Sequence, residues 1–176
     1  MPENIIATLN DGRSIAVNLN DDGTIPDKFL TDHPGIQNLD FCSCRERPII
    51  VKEGQLSHLP KLESINFTKC KFLTLPKSLK DLGSLQLLIL SQTELTELPY
   101  LPKELKEIIL FNCKSLRIDD DLMEKIEDFE CSADEHLLGK IEEFKKIQEV
   151  NGGAVAPATH PRDPQSSERS REALLS

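Results

Sequence analysis

A fold of the α/β class, in which short parallel strands and their return arms stack into a curved solenoid with a cap at each end, is predicted by three observations. Leucine is concentrated, with 16 of the chain's 26 leucines between Leu56 and Leu110. The template L-x-x-L-x-L-x-x-N/C fits five segments: IQNLDFCSC from Ile36, LESINFTKC from Leu62, LQLLILSQT from Leu85, LKEIILFNC from Leu105 and IEDFECSAD from Ile126, at spacings of 26, 23, 20 and 21 residues. Leu-Pro pairs recur between these segments, Leu75-Pro76 before Leu79, Leu82 and Leu85, and Leu98-Pro99 before Leu101-Pro102 and Leu105. Proline fixes φ and removes a donor, so it ends strand pairing and turns the chain back. One strand with one return arm cannot bury its apolar face alone, and stacking is obligatory.

In chain order, residues 1–35 are read as an N-terminal cap. Residues 5–19, IIATLNDGRSIAVNL, are two apolar runs around Asn10-Asp11-Gly12, residue types that tolerate positive φ and signal a hairpin. A short helix is expected near Pro26 to Thr31. Residues 36–134 carry the repeats, with the curved parallel sheet on the concave face. From Glu135 to Val150, Leu137, Leu138, Ile141, Phe144 and Ile147 share one helical face, which predicts a C-terminal cap helix over 135–150. Residues 151–176 have no aromatic and no β-branched run, cannot offset their ordering entropy, and are expected as a disordered tail.

These residues resemble the leucine-rich-repeat proteins. The phrase LTELPYLPKELKEIIL, Leu95 to Leu110, resembles the L-P-x-L-P-x-x-L-x-x-L repeat of the short-repeat (LPX-type) effectors that bacterial pathogens deliver into host cells. The Leu75 to Leu98 unit, 23 residues long, is similar to the commoner LP-x-x-L-x-x-L-x-x-L form. The resemblance covers roughly residues 36 to 134. It implies a virulence factor that acts by protein binding in the host cytosol, with the tail as a secretion signal. Some effectors of that family add a ubiquitin-ligase domain built around a catalytic cysteine. About 40 residues follow the repeats here, none of them cysteine, and that activity is not carried over.

Charge and hydropathy narrow the partner class. With 21 Lys and Arg against 30 Asp and Glu, the net charge of -9 has the wrong sign for holding phosphates, so no nucleic-acid partner is expected. No stretch approaches the 18 apolar residues needed for a membrane span. The start, MPENIIATLNDGR, lacks the basic flank and apolar core of a signal peptide, which predicts a chain cytoplasmic as made. The acidic run Asp119, Asp120, Asp121, Glu124, Glu127, Asp128 and Glu130 reads as a solvated flank before it reads as a site for a basic partner.

Three patterns invite a chemical reading, and each has a plainer one. Cys42, Cys44, Cys70, Cys113 and Cys131 lack C-x-x-C spacing, and Cys44, Cys70 and Cys113 occupy the ninth template position, where a small inward residue belongs. Asn18, Asn20, Asp22 and Gly23 copy the first half of a calcium loop, but the twelfth position is Phe29 where a bidentate carboxylate must stand, so a turn is expected. His33, His58, His136 and His160 are scattered, and no G-x-S-x-G, P-loop or G-x-G-x-x-G occurs. No metal, no cofactor and no enzymatic activity are expected.

Strand alternation sends template positions three, five and seven, with position eight at the turn, to the open side of the sheet. In the two middle repeats this places Leu87, Ile89, Ser91, Gln92, Glu107, Ile109, Phe111 and Asn112 there as the expected protein-binding surface, framed by polar residues on either side. An exposed apolar patch with a polar rim marks a binding surface on a soluble chain more often than chance. Cover by the tail or the C-terminal helix, and pairing of two copies, are the competing readings; a monomer is favoured. The function expected is a non-enzymatic interaction module that binds a host protein. The alternative is an accessory or substrate-recruiting subunit, or an inhibitor, of an enzyme such as a ubiquitin ligase or kinase.

Overall fold

The structure, a computed structural model, describes residues 4–42, 44, 47–126 and 130–151. The tail expected over 151–176 lies, past Asn151, outside the described residues. Two compact units divide the chain, residues 1–144 and 145–176, and of the second the helical segment 145–151 is described.

The first unit is α/β. Its strands are β1 (Asn4–Leu9), β2 (Ser14–Asn18), β3 (Ile36–Asp40), β4 (Ile49–Ile50), β5 (Ser64–Asn66), β6 (Leu73–Thr74), β7 (Leu87–Ile89), β8 (Glu107–Ile109) and β9 (Glu130–Ser132). Two short helices, α1 (Asp27–Asp32) and α2 (Asp120–Ile126), and the start of α3 (Glu135–Asn151) complete it. Seven strands form one mostly parallel sheet in the order β2-β1-β3-β5-β7-β8-β9, while β4 and β6 pair separately.

The sheet opens with a hairpin. β1 and β2 are antiparallel with Ile5 opposite Val17, and the turn closes through Leu9 N to Arg13 O (2.9 Å), with Gly12 at φ 82. β1 then pairs antiparallel with β3, and every later pairing is parallel in the register Asn38, Ser64, Leu87, Glu107, Glu130. The residues between, Leu39, Ile65, Leu88 and Ile108, point the other way and are buried. Template position one (Ile36, Leu62, Leu85, Leu105) and position six (Phe41, Phe67, Leu90, Leu110) are also buried, as columns running across the strands. The two phenylalanines stack with ring centroids 4.6 Å apart.

The register corrects the reading of the last segment. Glu107, third in the segment from Leu105, lies opposite Glu130, so the last segment starts at Asp128 and not at Ile126. Ile126 instead ends α2 as a buried helical residue. A shift of two residues keeps every side chain on the same face, which is why alternation alone did not expose it.

The return arms are tied to one another by polar side chains. Glu53 caps the next arm, its carboxylate accepting from Lys77 N (2.7 Å) and Ser78 N (3.0 Å) at the head of a short 3-10 turn, Lys77–Asp81. Buried Gln55 donates to Ile25 O (2.8 Å) and to Asp27 Oδ1 (2.7 Å), holding its arm against α1. The half calcium motif is a turn: Asp22 Oδ1 accepts from Thr24 N (3.0 Å) and Thr24 Oγ1 (2.6 Å). Gly23, at φ 82, brings the chain so close to Pro48 that a Cβ would sit 2.1 Å from its carbonyl oxygen. Gly12 has the same φ and open space around it. Gly23→Ala is therefore expected to cost roughly 3 kcal/mol or more, the left-handed backbone adding to a backbone clash, whereas Gly12→Ala costs about 1 to 2 kcal/mol. Denaturant unfolding of the two variants checks this, and equal losses would refute it.

Candidate functional site

Half of the open face is closed on itself by hydrogen bonds. Ser64 Oγ donates to Asn38 Oδ1 (2.6 Å), Asn66 Nδ2 to Asp40 Oδ2 (3.3 Å), and Thr68 Oγ1 to Asn66 Oδ1 (2.6 Å). On the next two strands that ladder is replaced by carbon. Leu87 and Ile89 of β7 and Ile109 of β8 are half-buried, Ile89 opposite Ile109 in register, and Phe111 is 45% exposed just beyond β8. These four side chains are brought together as the alternation predicts, with Glu107 opposite Leu87.

The other expected surface residues divide. Gln92 and Asn112 are exposed at the turn, both at positive φ (59° and 58°), as is Lys69 (69°) at the same position one segment earlier. The left-handed turn lets each strand end while the next residue, Cys70, Thr93 or Cys113, drops into the core. Ser91 is a correction. It is 6% exposed, and its Oγ accepts from Phe111 N (3.2 Å), so it braces the turn and offers nothing to a partner. A short hydroxyl beside a tight turn satisfies backbone first.

The stack ends at Asp134. Lys69 N donates to Ser91 O (2.9 Å) and Gln92 N to Phe111 O (2.8 Å), each turn bonded to the next. Asn112 N instead donates to Asp134 Oδ2 (2.6 Å), and Asp134 Oδ1 accepts from Leu137 N (3.0 Å) in the first turn of α3. One carboxylate thus terminates the ladder and caps the helix. Within the first unit Leu137 and Ile141 of α3 are buried and Phe144 is half-buried, but Leu138, expected on the same face, is exposed. Around this junction a hollow of about 560 Å³ is lined by Asn112, Cys113, Leu116, Asp134, His136 and Lys140 among others.

Cysteine, histidine and aspartate on one hollow are the residue types of a thiol hydrolase, and the geometry speaks against that chemistry. Cys113 turns inward, its Sγ donating to Leu90 O (3.2 Å), and burial pushes its thiol up from the ordinary value. An activated nucleophile needs the opposite shift. Cys70 likewise donates inward, to Phe41 O (3.5 Å). Among the described residues no three His, Cys, Asp or Glu side chains gather to hold a metal ion, and no helix is long and apolar enough to cross a membrane. The acidic run serves α2: Asp119 Oδ1 accepts from Leu122 N (3.1 Å) and Asp121 pairs with Lys125 (2.7 Å). Glu127 and Asp128 lie outside the described residues. Comparison of the chain with family models, with curated proteins and with solved structures finds no match.

Two outcomes are expected. The hydrogen bonds from Asn112 and then Leu137 hold the Asp134 carboxyl below its usual range. Its contribution is thus complete above the unfolded value of about 3.9 and is lost as pH falls through the lower folded value. Asp134→Ala should lower the thermal midpoint by a few degrees at pH 7, with the gap narrowing below pH 4; a gap unchanged down to pH 2 would contradict the assignment. Cys113, buried with a raised pKa, should be alkylated at pH 8 at a rate set by unfolding, checked by mass spectrometry with and without denaturant.

Proposed function

We propose that this chain is a leucine-rich-repeat protein, a curved solenoid that binds another protein on its concave face and catalyses no reaction itself. The observation that carries the reading is the group Leu87, Ile89, Ile109 and Phe111. Four apolar side chains, three half-buried and Phe111 exposed, stand together on the sheet face opposite the buried columns, beside strands whose polar side chains satisfy one another. Leaving them in water forgoes hydrophobic stabilisation that an occupant recovers. The parallel register, the buried columns and the hairpin ahead of the first segment support the solenoid. The LPYLP phrase supports kinship with the short-repeat effectors of bacterial pathogens, and with it action in a host cytosol.

The test separates binding from folding. Ile89→Asp combined with Phe111→Ala is expected to keep the unfolding free energy within about 1 kcal/mol of wild type while losing the proteins that wild type retains from host lysate. Truncating a central aromatic anchor costs a complex about 2 kcal/mol or more, roughly thirtyfold in affinity. Leu110→Ala, from a buried column, should cost about 2 to 5 kcal/mol of stability instead. A double variant that unfolds as readily as Leu110→Ala would make the patch part of the core. One that folds and retains every wild-type partner would move the binding surface elsewhere.

A further inference from the structure

The charges around the apolar group define what fits it. On the open side of the sheet, the described strands carry Asp40, Glu107 and Glu130 and no lysine or arginine. Glu107 and Glu130 stand directly opposite one another on β8 and β9, in the row that continues from Leu87, with Ile109 two residues along. Adjacent strands lie about 4.8 Å apart, and like charges directly opposite oppose pairing. Among the described residues no lysine or arginine forms an ion pair with either, and Lys106 beside them donates to Gln86 Oε1 (2.9 Å). Glu107 accepts one hydrogen bond, from Ser132 Oγ (3.0 Å), which leaves its charge in place.

We propose that the occupant of this face is a basic, apolar segment of another protein: an aromatic or aliphatic side chain seated among Leu87, Ile89, Ile109 and Phe111, and a Lys or Arg beside it lying across Glu107 and Glu130. This rests on the concave-face reading above. The spacing is consistent, since residues two apart on one strand are about 7 Å apart, the separation of alternate side chains in an extended segment. Charge complementarity supplies orientation and capture rate, and the apolar contact supplies most of the affinity. An acidic segment meets like charge on the carboxylate side of the patch and is rejected.

The experiment pans a phage-displayed library of random dodecapeptides on the full chain, on Glu107→Lys with Glu130→Lys, and on Ile89→Asp, each checked for folding by its circular-dichroism melt. Phe111→Ser replaces Ile89→Asp if that variant does not fold. On wild type, enriched peptides should place Lys or Arg within three residues of an aromatic or aliphatic side chain. Synthetic copies should bind about tenfold more weakly to Glu107→Gln with Glu130→Gln, and more weakly in raised salt. The charge-reversed chain should enrich acidic peptides. Peptides lost on Ile89→Asp but carrying no basic residue would overturn the charge assignment and leave the concave-face reading standing. Peptides indifferent to both apolar variants would overturn the concave-face reading itself. No enrichment above the Ile89→Asp control overturns the proposal, as does a wild-type dimer in sedimentation that Phe111→Ser dissociates, which would make a second copy the occupant.

Discussion

Everything in the first unit depends on one constraint: a strand of three to five residues with its return arm buries nothing until the next one lies against it. The solution is a set of columns. Ile36, Leu62, Leu85 and Leu105 fall in line, as do Leu39, Ile65, Leu88 and Ile108, because the backbone is bonded in strict register from β3 to β9. Phe41 on Phe67 gives the first pair of segments a stacked aromatic contact, and the same buried column continues in Leu90 and Leu110. Register and burial enforce each other, since one slipped residue would turn a whole column to water. The ninth position follows from the same constraint. A left-handed residue follows β5, β7 and β8 (Lys69, Gln92 and Asn112), and the side chain after each is small and donates to a carbonyl, as the Cys70 and Cys113 thiols and the Thr93 hydroxyl do.

A stack of this kind has two ends, and the chain treats them differently. At the start, β1 covers β3 by running antiparallel to it and β2 pairs along the far edge of β1, so the pairing continues without another arm. At the other end the ladder passes from backbone to side chain at Asp134, whose carboxylate takes the place of the next carbonyl and starts α3. A carboxylate accepting two backbone N–H groups is a stronger acceptor than the carbonyl it replaces.

With the core fixed this way, the open face is free to vary, and it varies abruptly. From β3 to β5 its side chains are locked to one another by hydrogen bonds; on β7 and β8 Leu87, Ile89 and Ile109 are apolar, and the one carboxylate there, Glu107, accepts from Ser132 of β9. Phe111, 45% exposed, stands at the edge of that apolar half.

By itself the sequence determined the class of the fold, the four segments from Ile36, Leu62, Leu85 and Leu105, the hairpin around Asn10-Asp11-Gly12, and the inward columns of those four segments, because period-two alternation and leucine spacing are local properties. It likewise placed Leu87, Ile89, Ile109 and Phe111 on one face. Tertiary structure alone decided three things. The last segment's register came from pairing with β8, since Ile126 and Asp128 fit the alternation equally well and only backbone hydrogen bonds separate them. Ser91 was claimed by the turn at Phe111, twenty residues away in sequence, a contact no local pattern encodes. The opposition of Glu107 and Glu130 arose from that same register, because which charges meet across a sheet is set by the neighbouring strand and not by the strand that carries them.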